Sequence, residues 1–220
     1  VPIVNSPDAE KRLAAEAAAE LVESGMTVGL GTGSTVAHLL PALAHRGLTG
    51  IRCVATSVAT ADQAREVGIP VEDFDRLERL DIAIDGTDEV TPDGWLIKGG
   101  GGAHLREKIV AAAAARFVVI ADSTKPVEAL RGPVPLELFG FGTASTLARL
   151  GSDVQLREAP RSPDGGLIAD YRGPGLEDPA ALAARLEADP GVAAHGLFPP
   201  DMVSELFVGR GGAVDRTSFT

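Results

Sequence analysis

Four short apolar runs separated by helical stretches set the tightest limit on how this chain can fold. Met26–Leu30, Ile51–Ala55, Leu80–Ile84 and Phe117–Ala121 are each about one strand long and too short for a buried helix. Rich in Val, Leu and Ile, each is read as a buried strand covered on both faces. That is the signature of a parallel sheet with helices on either side.

The intervening stretches supply the helices. Ser6-Pro7-Asp8 opens one with a capping hydroxyl and a proline at its first position, and Ala-rich sequence carries it to Glu23 before Gly25. Val36–Ala44 follows, with Pro41 expected to kink it. Ala59–Val67, closed by Gly68, and Leu105–Ala115 are the next two. The predicted class is a Rossmann-like α/β fold with a mostly parallel sheet. After about Glu128 the texture changes: Leu136, Val154 and Ile168 mark short strands, and Pro163-Asp164-Gly165-Gly166 marks a hairpin turn. A helix is predicted from Asp178-Pro179 to about Leu186 and a strand over Val192–Phe198. Glu205–Val208 then reads as a strand returning to the main sheet. These signals predict an α/β domain from residues 1–128 and 201–220 and a smaller α+β domain over 129–200.

A net charge of −11 disfavours nucleic acid and anionic membranes as partners. An anionic ligand would therefore need local donors. One cysteine, Cys53, lies in an apolar run and is read as a small buried hydrophobe. The chain contains no apolar stretch of membrane-spanning length, and Val1–Glu10 has no leader-like pattern, so the cytoplasm is the expected location.

Chemistry concentrates where strands end. Gly31-Thr32-Gly33-Ser34-Thr35 joins a strand to a helix, and bare backbone, hydroxyls and a helix N-terminus there can cradle a phosphate. It lacks the third glycine of a dinucleotide fingerprint and the lysine of a P-loop. A capped tight turn is the competing reading, and the motif alone does not separate the two. Asp85-Gly86-Thr87-Asp88 puts two carboxylates three residues apart at the carboxyl edge of the sheet. A solvated Asp-Gly turn is the alternative. Lys98 precedes four consecutive glycines, Gly99–Gly102, and then a helix carrying Arg106-Glu107-Lys108. Ordering four glycines is costly, so such a run points to backbone that must pass close to something. A cation, a bare loop and a carboxylate suit chemistry through an enediol. Asp122 and Lys125 end a further strand, as site residues or as a simple ion pair. His104 is read as a polar surface residue at a helix start. His38, His45 and His195 show no ligand spacing, so no metal is assigned.

Taken in order, Gly31–Thr35, Asp85–Asp88, Lys98–Gly101 with Arg106–Lys108, and Ala121–Lys125 resemble A-type ribose-5-phosphate isomerases, from about Lys11 to the last strand. The resemblance implies interconversion of D-ribose 5-phosphate and D-ribulose 5-phosphate, in the non-oxidative branch of the pentose phosphate pathway, with no cofactor. It implies Glu107 as the base between C2 and C1 and Lys98 as the stabiliser of the enediolate oxygens. Asp85, Gly86, Thr87 and Asp88 would face sugar hydroxyls, with Asp85 helping to open the ring. Gly99, Gly100 and Gly101 would line the substrate. Thr32, Gly33, Ser34 and Thr35 would hold the phosphate with Lys11 and Lys125. A homodimer or homotetramer is implied. His104, Leu138–Gly142 and the Thr56–Thr60 loop depart from the family's usual residues. The rival readings are a sugar-phosphate deaminase or lactonase, and a non-enzymatic sugar-phosphate sensor.

Overall fold

The computed structural model describes residues 6–219, so part of the Val1–Glu10 segment and its expected lack of a leader lie outside the described residues. In chain order the elements are α1 (Pro7–Ala19), β1 (Thr27–Leu30), α2 (Ser34–His45), β2 (Arg52–Ala55), α3 (Val58–Glu66) and β3 (Ile82–Gly86). Then come β4 (Glu89–Val90), β5 (Leu96–Ile97), α4 (His104–Ala113), β6 (Phe117–Asp122), β7 (Val134–Leu138), α5 (Thr143–Leu150), β8 (Val154–Leu156) and β9 (Leu167–Tyr171). The last are α6 (Pro179–Glu187), β10 (Val192–His195), β11 (Leu197–Phe198), β12 (Glu205–Arg210) and β13 (Ala213–Ser218), with short 3-10 turns at Phe74–Arg76 and Pro200–Met202.

The chain packs into two compact units. The first holds the chain up to Thr87, Arg106–Lys125 and the chain from Asp201; the second holds Asp88–Leu105 and Pro126–Pro200. Residues 88–105, assigned to the first domain from the sequence, pack within the second unit. Their strands β4 and β5 join β11 in a three-stranded antiparallel sheet, and two-residue strands are too short to register as periodic patterns.

In the first unit six strands run in the order β13-β12-β6-β3-β1-β2. All neighbours are parallel except the edge pair β12 and β13. Every residue of β3 and β6 is buried, as continuous apolar runs require. Ala14, Ala15, Ala18 and Ala19 of α1 are at most 1% exposed and let that helix approach the sheet closely. Helix α1 ends at Ala19 rather than Glu23: the Arg46 guanidinium donates to the carbonyls of Ala19 and Val22, satisfying the end of the helix early. Pro41 sits inside α2 without ending it. The β13 strand was not expected; its Asp215-Arg216-Thr217-Ser218 stretch is exposed, and a charged edge strand carries no apolar run to announce it.

The second unit has the four-stranded antiparallel sheet β10-β7-β9-β8 beside the small sheet β11-β5-β4. Strands β8 and β9 pair antiparallel on either side of the expected Pro163–Gly166 turn. The single strand expected over Val192–Phe198 is instead two, split at Gly196. A Cβ there would lie 2.1 Å from the Lys98 carbonyl oxygen, so the break and the glycine go together.

Candidate active site

The sheet order of the first unit fixes where a ligand crevice can open. From β1 the chain moves outward to β2 and then returns to β3 on the other side, so the topological switch lies between β1 and β3. Gly31–Thr35 leaves β1 and Asp85 ends β3 at that point. Asp85 falls inside the strand, because β3 runs two residues beyond the Ile84 end read from the sequence, and is 3% exposed. Its Oδ1 accepts the N–H of Thr32 at 3.0 Å and its own neighbour Gly86 N–H at 2.7 Å. Gly31 makes this approach feasible: a Cβ there would sit 2.0 Å from Asp85 Cγ.

The loop that follows presents donors. Gly33, at φ +115°, is the cap residue of α2 and offers no capping side chain to the first turn. The amide groups that a cap would satisfy are thus available to an anion. Gly33 and Ser34 are exposed, while Thr35 is buried. Lys11 of α1 donates to Ser34 Oγ at 3.0 Å and lies 4.0 Å from Asp122 Oδ2 at the end of β6. Asp122 accepts from both the N–H and the hydroxyl of Thr124, and Lys125 N–H donates to the Asp122 carbonyl at 3.2 Å. The cation that approaches Asp122 is therefore Lys11. The first unit brings Lys11, Thr32, Gly33, Ser34, Thr35, Asp85 and Gly86 together at one sheet edge; Thr87 is buried just beyond β3, and Lys125 follows β6 there.

Glu107 reaches the same edge by the direction of its helix. Leu80 N–H, two residues before β3, donates to the Ala113 carbonyl at the end of α4. The opposite end of α4 must then lie at the carboxyl edge of the strands. Glu107 is in that first turn and 4% exposed. Val110, one turn on, packs on β1, where a Cβ on Gly29 would lie 2.5 Å from Val110 Cγ1. Glu107 is therefore not on a solvated helix face.

Lys98 and Asp88 belong to the second unit. Asp88 N–H donates to Ile97 O at 2.8 Å, so Asp88 and Lys98 extend the antiparallel pair of β4 and β5 side by side. Lys98 is 2% exposed, with Nζ 5.6 Å from the centre of the Phe198 ring and its N–H donating to Gly196 O at 2.9 Å. The glycine run is held from both sides. Asp88 Oδ2 accepts Gly100 N–H at 2.8 Å. Arg157 donates to Gly100 O at 2.9 Å and Gly99 O at 3.3 Å, and its guanidinium is forked onto Asp170 at 2.7 and 3.1 Å. Gly101 is exposed. His104, expected at the surface, is fully buried: Gly99 adopts φ +101° and a Cβ there would lie 2.6 Å from His104 Nδ1. The ring fills the space that the missing Gly99 side chain leaves.

Several contributors escaped the sequence reading. Arg157, Asp170 and Glu10 stand far from the motifs they support, and only tertiary pairing reveals them. Thr56, in the loop read as a loose Ser/Thr segment, holds its hydroxyl 2.7 Å from that of Thr32. Cys53 is buried, and desolvation pushes its thiol up to about 12, as the bland reading requires. Among the described residues no group of three His, Cys, Asp or Glu side chains is arranged to hold a metal ion, and no helix is long and apolar enough to cross a membrane. A cleft of about 300 Å³ in the second unit, lined by Arg149, Tyr171, Arg185 and Asp189, has its arginines engaged by Asp189 and the tyrosine.

Comparisons with known proteins agree with this geometry. Residues 52–212 match the family model of ribose 5-phosphate isomerase A, also called phosphoriboisomerase A. Ribose-5-phosphate isomerase A of Caulobacter vibrioides is 50% identical over 224 residues, covering 96% of this chain and 98% of its own. That of Roseiflexus castenholzii is 48% identical, covering 93% and 94%. The crystal structure of ribose 5 phosphate isomerase A from Neisseria gonorrhoeae superposes with a TM-score of 0.93 at 33% identity, over 98% of this chain and 99% of that one. Sheet order, strand-end motifs and near-full-length identity converge, and the chain belongs to the ribose-5-phosphate isomerase A family.

Proposed function

We propose that this chain interconverts D-ribose 5-phosphate and D-ribulose 5-phosphate by proton transfer through an enediolate, with Glu107 as the base. The Glu107 carboxylate takes the proton from C2 of the open-chain aldose, and the electron pair of that C–H bond forms the C1–C2 double bond. The carbonyl π electrons move onto O1. The Glu107 carboxyl, whose proton can exchange with solvent while the enediolate lasts, delivers a proton to C1 while the O2 hydroxyl proton passes to O1, so the ketose differs from the aldose by redistribution of protons and electrons alone. No electrons leave the sugar, and the reaction needs no redox partner. A positioned carboxylate contributes roughly 10²–10⁴-fold to such a transfer.

Lys98 supplies positive charge to the developing O1 and O2 anions, where a buried cation acts more strongly than in water. Asp85 and Asp88 accept hydrogen bonds from sugar hydroxyls, and Asp85 assists ring opening by taking the proton of the anomeric hydroxyl and passing a proton to the ring oxygen as the C1–O4 bond breaks. The α2 N-terminus, Thr32, Ser34 and Thr35 bind the phosphate with Lys11 and Lys125. That binding energy is then used at C1 and C2 rather than only in holding the substrate. The working form is a homodimer or homotetramer in the cytoplasm.

The burial of Glu107 in the first turn of α4, at the carboxyl edge of the sheet, carries this reading. Glu107→Gln keeps the shape and removes the basicity. The variant should still bind ribose 5-phosphate, yet turn over at least roughly a hundredfold more slowly and fail to exchange the C2 proton with deuterated solvent. Near-native exchange in a folded Glu107→Gln protein would remove Glu107 from the mechanism and make Asp85 the next candidate.

A further inference from the structure

An acidic residue stands beside the proposed phosphate cradle, and its sign is wrong for binding an anion. Glu10 of α1 is 6% exposed and immediately precedes Lys11. Its carboxylate takes three donors from two different segments. Oε2 accepts the N–H of Ser123 at 3.0 Å and its hydroxyl at 2.6 Å; Oε1 accepts the N–H of Gly211 at 3.2 Å. Those hydrogen bonds hold the carboxyl below the usual carboxylate range, with the Arg210 charge adding to the effect. Backbone follows the side chain: a Cβ on Gly209, near the end of β12, would lie 2.0 Å from the Glu10 carbonyl oxygen. The negative charge is therefore directed away from the cradle and into the strand ends behind it.

The Ser123 segment and α1 itself, which Glu10 joins, are those that carry the cradle's cations. Ser123 lies between Asp122 and Lys125 in the loop after β6. Lys11 projects from the same turn of α1 to Ser34 Oγ and toward Asp122. We infer that Glu10 is a positioning residue for the substrate phosphate: it locks α1 to the loop after β6, and thereby sets Lys11 and Lys125 at the α2 N-terminus. This rests on the reading of Gly31–Thr35 as the phosphate site. A lysine side chain has many rotamers, and fixing its backbone at the right distance removes part of the freedom that binding would otherwise have to freeze.

The test uses quantities that do not depend on how much of a preparation is folded. Glu10→Gln places an amide N–H₂ where a donor from Ser123 or Gly211 already points, so one side of the lock opens. For this variant the KM for ribose 5-phosphate and the inhibition constant of inorganic phosphate should rise together, by roughly tenfold. Ser123→Ala, which removes the hydroxyl donor and leaves the backbone one, should raise both by a smaller factor and serves if Glu10→Gln does not fold. Lys11→Ala tests the cradle itself and should raise both constants at least as much. A Glu10→Gln protein with lowered apparent kcat but unchanged KM and phosphate inhibition, alongside a Lys11→Ala protein with both raised, would overturn the positioning role and leave the cradle standing. Unchanged constants in all three variants would overturn the cradle and the inference together.

Discussion

The two glycine loops differ in what holds them. Gly31–Thr35 emerges from β1, a central strand paired on both sides, and its conformation follows from the sheet: Gly31 must be bare because Asp85 occupies the space beside it. Gly99–Gly102 emerges from a two-residue strand in a three-stranded sheet and is fixed by side chains, Asp88 on the Gly100 N–H and Arg157 on the Gly99 and Gly100 carbonyls. One loop inherits order from main-chain topology; the other has it supplied by a few hydrogen bonds within its unit. The first should tolerate loss of a neighbouring side chain and not gain of one. The second should be sensitive to loss of the side chains that hold it as well as to gain of one.

Gly31→Ala is the strongest way to break that contrast. The added methyl would overlap Asp85 in the middle of a parallel sheet, where neither strand can yield without disturbing its other neighbour. Displacing Asp85 or the Thr32 amide by about 1 Å is enough to lower turnover roughly a hundredfold. Steady-state rates and thermal midpoints of the variant would show both effects, and a near-native Gly31→Ala enzyme would mean that the loop is not set by the sheet.

A smaller effect is expected from Arg157→Ala. It withdraws both donors from the Gly99 and Gly100 carbonyls and strands Asp170, which is also contacted by Arg172. Turnover should fall roughly tenfold while inhibition by inorganic phosphate stays unchanged, because the cradle belongs to the other loop. Hydrogen exchange at residues 99–102 should speed up, since the opening free energy falls by about 1–3 kcal/mol when such charged bonds are lost. Arg157→Lys should rescue little, as an ammonium has no planar fork to reach Asp170 and two carbonyls at once.

The mildest effect is one of pH. Glu10 has a folded-state pKa below its ordinary 4.5. The stability it contributes is fully present above that ordinary value and is lost as the pH falls through the lower folded one. The difference in thermal midpoint between the native protein and Glu10→Gln should therefore be constant from neutrality to about pH 5 and shrink below it. A difference that grew on acidification would contradict the assigned hydrogen bonds.

The contrast between the loops also explains what could be read beforehand. Met26–Leu30, Phe117–Ala121 and their neighbours announce the parallel sheet because a strand buried on both faces must be apolar at every position. Gly31–Thr35 was legible for the same reason: a motif fixed by main chain is written in consecutive residues. The support of the second loop is written in Asp88, Arg157 and Asp170, spread over more than eighty residues of sequence, and no local pattern connects an arginine after β8 to a glycine before α4. His104 was misplaced because a helix-start histidine is ordinarily solvated; its burial depends on the void beside Gly99. Strands β4, β5 and β11 are too short to show a period, and β13 is too polar to show an apolar face.

The first unit is assembled from three separated stretches of chain, and its sheet is closed by strands made after the whole second unit. Until β12 is synthesised, β6 has β3 on one side and an open row of backbone donors and acceptors on the other. That nascent edge is fully apolar, Phe117 to Ala121, and so is the sort of surface that recruits other chains. During translation the protein must hold a sticky, half-finished sheet through the synthesis of residues 126–200. Slow elongation in that interval, or a stop before Glu205, would therefore yield aggregation rather than a smaller active enzyme.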